Sequence, residues 1–307
     1  MTNDSSPRVA GLFVHPIKSA GAIAVQSLAL DDRGAIGDRR WLVVDPAGRQ
    51  ITARDTPRLT LVRPSFAMPG QRPLDRATTI RALGGASIVS AINTDGALVV
   101  HAPHETPLVV DIPTDGAVCR VSIWDDMVEA IDAGDTSAEW MSRVLGRPAR
   151  LMRLSDDARR PLRAKFAGDL PYQDRRVAFS DGAPLLILGQ GSIDALNDRL
   201  LSHGEQTTMT AARFRPNVLL THLGAHDEDR WSRVHIGTVD LAIGEPCSRC
   251  VMITLDPETA EGGVEPLRTL ADYRRQQGSV MFGMNATHAE PGTIRLGDQV
   301  AVRAVRD

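Results

Sequence analysis

A succession of short β-prone runs, each cut off by glycine or proline, constrains this chain more than any other feature of its sequence. Val9-Ala10-Gly11-Leu12-Phe13-Val14 stops at His15-Pro16, where proline cannot donate to a ladder. Trp41-Leu42-Val43-Val44-Asp45 is followed by Pro46-Ala47-Gly48 and a second run around Gln50-Ile51-Thr52, a hairpin pattern. Leu59-Thr60-Leu61-Val62 reads as another strand, closed by Arg63-Pro64. Further runs occupy residues 97–101, 107–110, 118–124 and 127–131, with almost no helical period between them. Short strands at such spacing predict a barrel or sandwich for the first half of the chain. Residues 65–95, with glycines, prolines and scattered charge, read as an irregular excursion or weak hairpin.

Helical signals are few. Thr136-Ser137-Ala138-Glu139 has capping-box spacing, Trp140, Met141, Val144 and Leu145 share a face, and Gly146 supplies a stop. Residues 153–176 mix arginine with aspartate, as a solvated loop or a mobile cover over a neighbouring site would. Residues 183–188 form a buried-strand run ahead of Gly189-Gln190-Gly191-Ser192 and a helix through Ile193, Leu196 and Leu200. The missing third glycine and the absence of repeated βαβ units argue against a dinucleotide site there. Residues 266–277 read as a helix ended by Gly278, and residues 293–296 and 299–302 as a closing hairpin. The whole is mostly β with α+β elements.

A chain of 307 residues with 42% hydrophobic content can bury a large core and suggests two domains. Its formal net charge of −3 supplies no basic field for nucleic acid, which leaves small molecules as the expected partners. No apolar run is long enough to cross a bilayer and the first residues do not have the order of a signal peptide, so no membrane partner and a cytoplasmic setting are expected. Three cysteines, an odd number, fit a reducing compartment better than a disulfide framework. Cys119, in an alternating run, reads as a buried small hydrophobe.

Three stretches carry residue types suited to chemistry. Cys247-Ser248-Arg249-Cys250 sets two thiols beside a guanidinium, which favours thiolates able to serve as soft metal ligands or redox groups. Lys18 and Ser19, on the loop after the first strand, could meet an anion or merely form an exposed polar turn. Arg213 and Arg215, at alternate positions ahead of a strand, make an anion clamp with Asn217 beside them. A zinc-stabilised module using Cys247, Cys250, His222 and His226 is the alternative from another class, though their order matches no common finger.

Separated segments, in order, then point one way: Phe13-Val14-His15-Pro16-Ile17-Lys18-Ser19, Gly37-Asp38-Arg39-Arg40-Trp41, Arg213-Phe214-Arg215-Pro216-Asn217, Pro246-Cys247-Ser248-Arg249-Cys250 with Asp256-Pro257, and Phe282-Gly283-Met284-Asn285. Together they resemble the MOSC proteins that begin with the MOSC N-terminal β-barrel, the group of the mitochondrial amidoxime-reducing component and its bacterial relatives. The resemblance implies an N-terminal β-barrel over residues 1–150, whose first ~40 residues also reach the cofactor cleft, and a MOSC β-barrel domain with flanking helices over 151–307. It further implies a molybdenum cofactor (molybdopterin) ligated by Cys250, with Lys18, Ser19, Arg39, Arg215, Asn217, Ser248 and Asn285 around it. Lys18, Arg39 and Arg215 would hold its phosphate. The implied reaction is reduction of small N-hydroxylated compounds. Some relatives append an iron–sulfur domain, and no such cysteine cluster occurs in this sequence, so electrons are expected from a separate electron-transfer protein or reductase. A cofactor carrier or sulfur-transfer protein is the alternative on the same fold. Cys247 and the proton relay, Asp256 or a histidine, stay unassigned.

Overall fold

Alternation of apolar residues builds two main sheets in the computed structural model, which describes residues 6–67, 96–114 and 116–306. A nine-stranded sheet runs in the order Val300–Val305, Trp231–Ile236, Val239–Arg249, Ser279–His288, Leu185–Gly189, Val218–Thr221, Arg8–Val14 and Ile23–Ala24, with Arg275–Gln276 paired on Ser279–His288. A four-stranded sheet runs Trp41–Val44, Arg150–Leu154, Asp126–Asp132, Val118–Ile123. Two three-stranded sheets complete the set, one around Ser27–Asp31 and the other around Leu98–His101.

Leu185–Gly189 is buried at all five positions because it is covered on both faces. Ile187 packs with Val14, Val218, Leu241 and Met284, whereas Leu188 packs with Ile193, Leu196, Phe214 and Phe282 on the other side. The Gln190–Ser202 helix covers that second face. Its N-terminus is occupied by the protein itself: Glu228 Oε1 accepts from Gly189 N at 3.1 Å and from Ser192 Oγ at 2.7 Å. A buried carboxylate therefore stands where a dinucleotide phosphate would bind.

Register brings the distant motifs to one end of the large sheet. Arg8–Val14 runs antiparallel to Val218–Thr221 with Leu12 opposite Val218, so the Lys18 loop leaves beside Arg215–Asn217. Leu185–Gly189 runs parallel to Val218–Thr221, which sets residues 180–184 at the same end. Leu186 lies opposite Asn285 and Pro246 opposite Met284, so the cysteine stretch arrives there as well. The smaller sheet is tied in by Arg39 N to His15 O at 2.8 Å and Lys18 N to Trp41 O at 2.9 Å.

Several local expectations are corrected. Residues 59–62 are not a strand: Pro57–Leu61 is a 3-10 turn with Leu59 and Thr60 both buried, and strand begins at Arg63. Consecutive burial suits a turn better than a half-exposed strand. The Asp135–Leu145 helix starts from Gly134, at φ 88, so Thr136 falls inside its first turn and caps nothing; Gly146 ends it in the left-handed conformation as the sequence implied. The helix after Pro266 stops at Tyr273, because Gln277 and Gly278, both at positive φ, turn Arg275–Gln276 back onto Val280 and Ser279. The last two strands do not pair with each other: Gly292–Arg295 joins Ser27–Asp31, and Val300–Val305 joins Trp231–Ile236. Cys119 is exposed rather than buried. The irregular stretch expected at 65–95 lies, over 68–95, outside the described residues.

Candidate functional site

The convergence of loops encloses a cleft of about 640 Å³ that is lined by Lys18, Ser19, Arg39, Arg215, Asn217, Ser248, Cys250 and Asn285 together, with Cys247 and Asp181 beside them. Backbone strain concentrates there. Among the described residues nine other than glycine have positive φ, and five of these, Ser19, Arg39, Trp124, Arg215 and Gln277, line the cleft. Each costs on the order of 1–3 kcal/mol, a cost that clusters at binding sites.

At the inner end three cations are packed into the protein. The Lys18 side chain, 5% exposed, is bonded to Asp181. Burial pushes its ammonium down to about 8, against the opposite pull of Asp181. Burial also works against ionisation of Asp181, but Lys18, helped by Arg54 and Arg39, outweighs it and holds the carboxyl well below its ordinary range. Arg39 is bonded to Asp38, whose other oxygen accepts from His15 N at 2.7 Å. Arg215 donates to Ala20 O, while its Nη2 is buried with no partner. Burial, then the neighbouring Arg39, pushes Arg215 down to about 9, which leaves it charged at neutral pH. The same surroundings hold the buried His15 imidazole well below its usual value, so it stays neutral.

The cysteine stretch lies at the end of Val239–Arg249, with Cys250 at the start of the Val251–Thr254 turn. Arg249, expected to activate the thiols, is turned mostly elsewhere: its Nε donates to Phe282 O at 2.8 Å and its Nη1 to Phe214 O at 2.9 Å, while its Nη2 is buried with no partner. Beneath it, the Phe214 and Phe282 rings pack at 4.6 Å. The arginine that meets the thiol is Arg54, from the loop before Pro57, whose Nε lies 3.1 Å from Cys250 Sγ. Sequence reading missed it, because 196 residues separate the two and nothing local marks it. Burial raises the Cys247 thiol, with Arg249 opposing.

Other candidates differ in how free they are. Asn217 is fully buried, and both ends of its amide are engaged: Oδ1 accepts from Leu186 N at 3.1 Å and Arg39 Nη1 at 3.3 Å, and Nδ2 donates to Phe13 O at 3.1 Å. Asn285 Nδ2 donates to Glu245 O at 2.9 Å, and Ser248 is exposed. Arg213, the other half of the expected clamp, is committed to Asp256 at 2.9 Å and Thr254 O at 3.2 Å. Asp256 also accepts from Glu258 N and Thr259 N and does not line the cleft, so nothing here marks it as a proton relay.

The donor set suits a phosphate-bearing cofactor held by one thiolate. Buried Lys18 and half-buried Arg39 and Arg215 face two carboxylates, and the orphaned Nη2 of Arg215, like that of Arg249, lacks the acceptor that a phosphate oxygen would supply. Among the described residues no group of three or more His, Cys, Asp or Glu stands close enough to hold a metal, so the zinc alternative finds no donor set; His226 packs instead against Tyr273 and Phe282.

Residues 6–148 match the MOSC N-terminal beta barrel domain and residues 174–301 the MOSC domain. Human mitochondrial amidoxime-reducing component 1 is 31% identical over 95% of this chain and 82% of its own. The chain belongs to the MOSC family of amidoxime-reducing components. The zebrafish amidoxime-reducing component 1 is likewise 31% identical over 95% of this MOSC protein and 83% of its own length. Bovine molybdenum cofactor sulfurase is 27% identical over 95% of this chain but only 32% of that protein. Among the described residues of this MOSC protein no helix is long and apolar enough to cross a membrane.

Proposed function

We propose that this protein is a molybdenum-cofactor oxidoreductase that reduces small N-hydroxylated compounds, amidoximes and N-hydroxylated bases, with electrons from a separate electron-transfer protein or reductase. The observation that carries the reading is one cleft that joins Cys250 to a largely buried cation nest with an unsatisfied guanidinium nitrogen. The 31% identity to proteins named amidoxime-reducing components supports the choice of reaction.

Bound here, molybdopterin supplies a metal centre for two-electron reduction of an N–OH group. Cys250 would be its protein ligand, through a thiolate kept deprotonated by the metal. Lys18, Arg39 and Arg215 would grip the phosphate by charge-assisted hydrogen bonds, with Ser19, Ser248 and Asn285 as further polar contacts. Asn217 acts through others: its Oδ1 holds Arg39, and its amide fixes the strands from which Lys18 and Arg215 depart. In this reading residues 1–150 form the N-terminal β-barrel and 151–307 the MOSC domain, with the site between their loops. Three free thiols fit the reducing cytoplasm.

The relationship to molybdenum cofactor sulfurase favours one second reading, a cofactor carrier or sulfur-transfer protein. Expression in a cofactor-competent host, with metal and pterin analysis and a benzamidoxime assay driven by reduced viologen, separates the two. Stoichiometric molybdenum with turnover is expected. Molybdenum and pterin without turnover of any N-hydroxylated compound makes it a carrier, and zinc without molybdenum sinks both.

A further inference from the structure

Nine basic side chains and three acidic ones line the cleft of a chain whose formal net charge is −3. Most of the nine are committed inside the protein. Arg160 bonds Asp126 at 2.8 Å and the carbonyls of Ala178 and Ser180; Arg163 meets Asp126 at 3.4 Å. Arg213 and Arg249 are spent as described above, and Lys18, Arg39 and Arg215 form the inner nest. Among the described residues two exposed cations of the lining have no ion pair with a carboxylate, Arg54 and Lys165.

Arg54 is the one in contact with the reacting end of the cleft. Its Nε reaches Cys250 Sγ, whereas among the described residues its two terminal nitrogens have no hydrogen-bond acceptor. A guanidinium with a free terminal fork matches a carboxylate in two parallel hydrogen bonds. Its mount is built for position: the guanidinium lies 4.4 Å from the centroid of the Trp124 ring. Trp124 sits at φ 51 in the turn between Val118–Ile123 and Asp126–Asp132, an unfavourable conformation for a bulky residue. It is pinned by Nε1–H donating to Asp181 Oδ1 at 3.2 Å, and the ring remains 37% exposed.

We propose that Arg54, seated on Trp124 beside Cys250, is the substrate-recognition element of the cleft and selects N-hydroxylated compounds that carry a carboxylate. The inference rests on the N-hydroxy reductase reading and names its substrate class. Lys165, over the Phe166 ring at 5.0 Å, adds a second exposed positive charge to the same lining.

The test uses cofactor-loaded protein and three para-substituted benzamidoximes, carboxy, unsubstituted and trimethylammonio, with reduced viologen as donor. The carboxylate compound should show kcat/KM about tenfold above the unsubstituted one, carried by KM, with the cationic compound below both. Added salt should shrink the advantage. In Arg54→Gln the carboxylate-to-neutral ratio should fall towards one with molybdenum and pterin content retained, and Arg54→Lys should lie between. Equal kcat/KM across the three compounds in the wild type overturns the proposal and leaves the reductase reading intact. If none of the three is turned over, the reductase reading fails instead, and calorimetric titration of 4-carboxybenzamidoxime into the same loaded protein decides recognition. Binding that Arg54→Gln abolishes supports it, and absent or unchanged binding overturns it. Loss of molybdenum and pterin from Arg54→Gln assigns Arg54 to the cofactor cradle and also overturns it.

Discussion

Replacing Asn217 by alanine separates a residue that builds the site from one that touches its occupant. The substitution removes the acceptor of the buried Leu186 N and the donor to the part-buried Phe13 O. Each stranded group costs about 1–3 kcal/mol, so the protein should lose about 2–6 kcal/mol with no cofactor present. At about 2–4 °C per kcal/mol, a loss near 3 kcal/mol lowers the melting midpoint by roughly 6–12 °C. Thermal and urea unfolding of cofactor-free wild type, Asn217→Ala and Ser248→Ala measures this. Ser248 is exposed, so its substitution should stay within about 0.5 kcal/mol. A cofactor-free Asn217→Ala as stable as the wild type, yet unable to retain molybdopterin, would refute the reasoning and return Asn217 to direct contact with the cofactor.

Three further outcomes follow from the same geometry. Because burial brings the Lys18 ammonium from 10.5 to about 8, sulfate binding to cofactor-free protein should weaken as pH rises from 7 to 9, and a flat calorimetric profile to pH 10 would contradict this. The same displacement means that the folded state holds fewer protons than the unfolded one between 8 and 10.5, so the stability cost of burying Lys18 is relieved across that window. Cys250→Ser should abolish molybdenum binding and the thiolate–metal absorption while Cys247→Ser retains both; the reverse result would assign the ligand to Cys247. Burial raises the Glu228 carboxyl above its ordinary 4.5, with Ser192 and Gly189 opposing. Its contribution to stability is thus lost as pH rises through the raised value, so Glu228→Gln should flatten the urea midpoint from pH 4.5 upward and be no less stable at pH 7. Parallel profiles for the two proteins would rule that out.

Much of the architecture was legible because strand periodicity is a local property. The runs at Val9–Val14, Trp41–Val44 and Leu185–Leu188 are strands because each is a short apolar, β-prone run cut off by glycine or proline, which a sheet buries on one face or on both. The errors fell where partners decide. Residues 293–296 and 299–302 alternate as a hairpin would, yet each finds a better-matched neighbour from elsewhere in the chain. The helix after Pro266 has a helical face to Tyr273 and then yields to pairing with Ser279–His288.

The site divides the same way. By itself the sequence determined the donor types and the backbone positions from which they hang: a thiol at 250, cations at 18, 39 and 215, and a glycine at 283. Gly283, at φ 75, leaves no room for a Cβ, which would stand 2.9 Å from Ile187 O. Only the tertiary structure decided which of these groups are free. It turns Arg249 and Arg213 towards the protein's own carbonyls and Asp256, engages Asn217 at both ends of its amide, strands one nitrogen each of Arg215 and Arg249, and brings Arg54 across 196 residues to Cys250. The physical reason is that a hydrogen-bond partner is assigned by strand register and loop packing between distant segments, and neighbouring letters in a sequence do not encode that assignment.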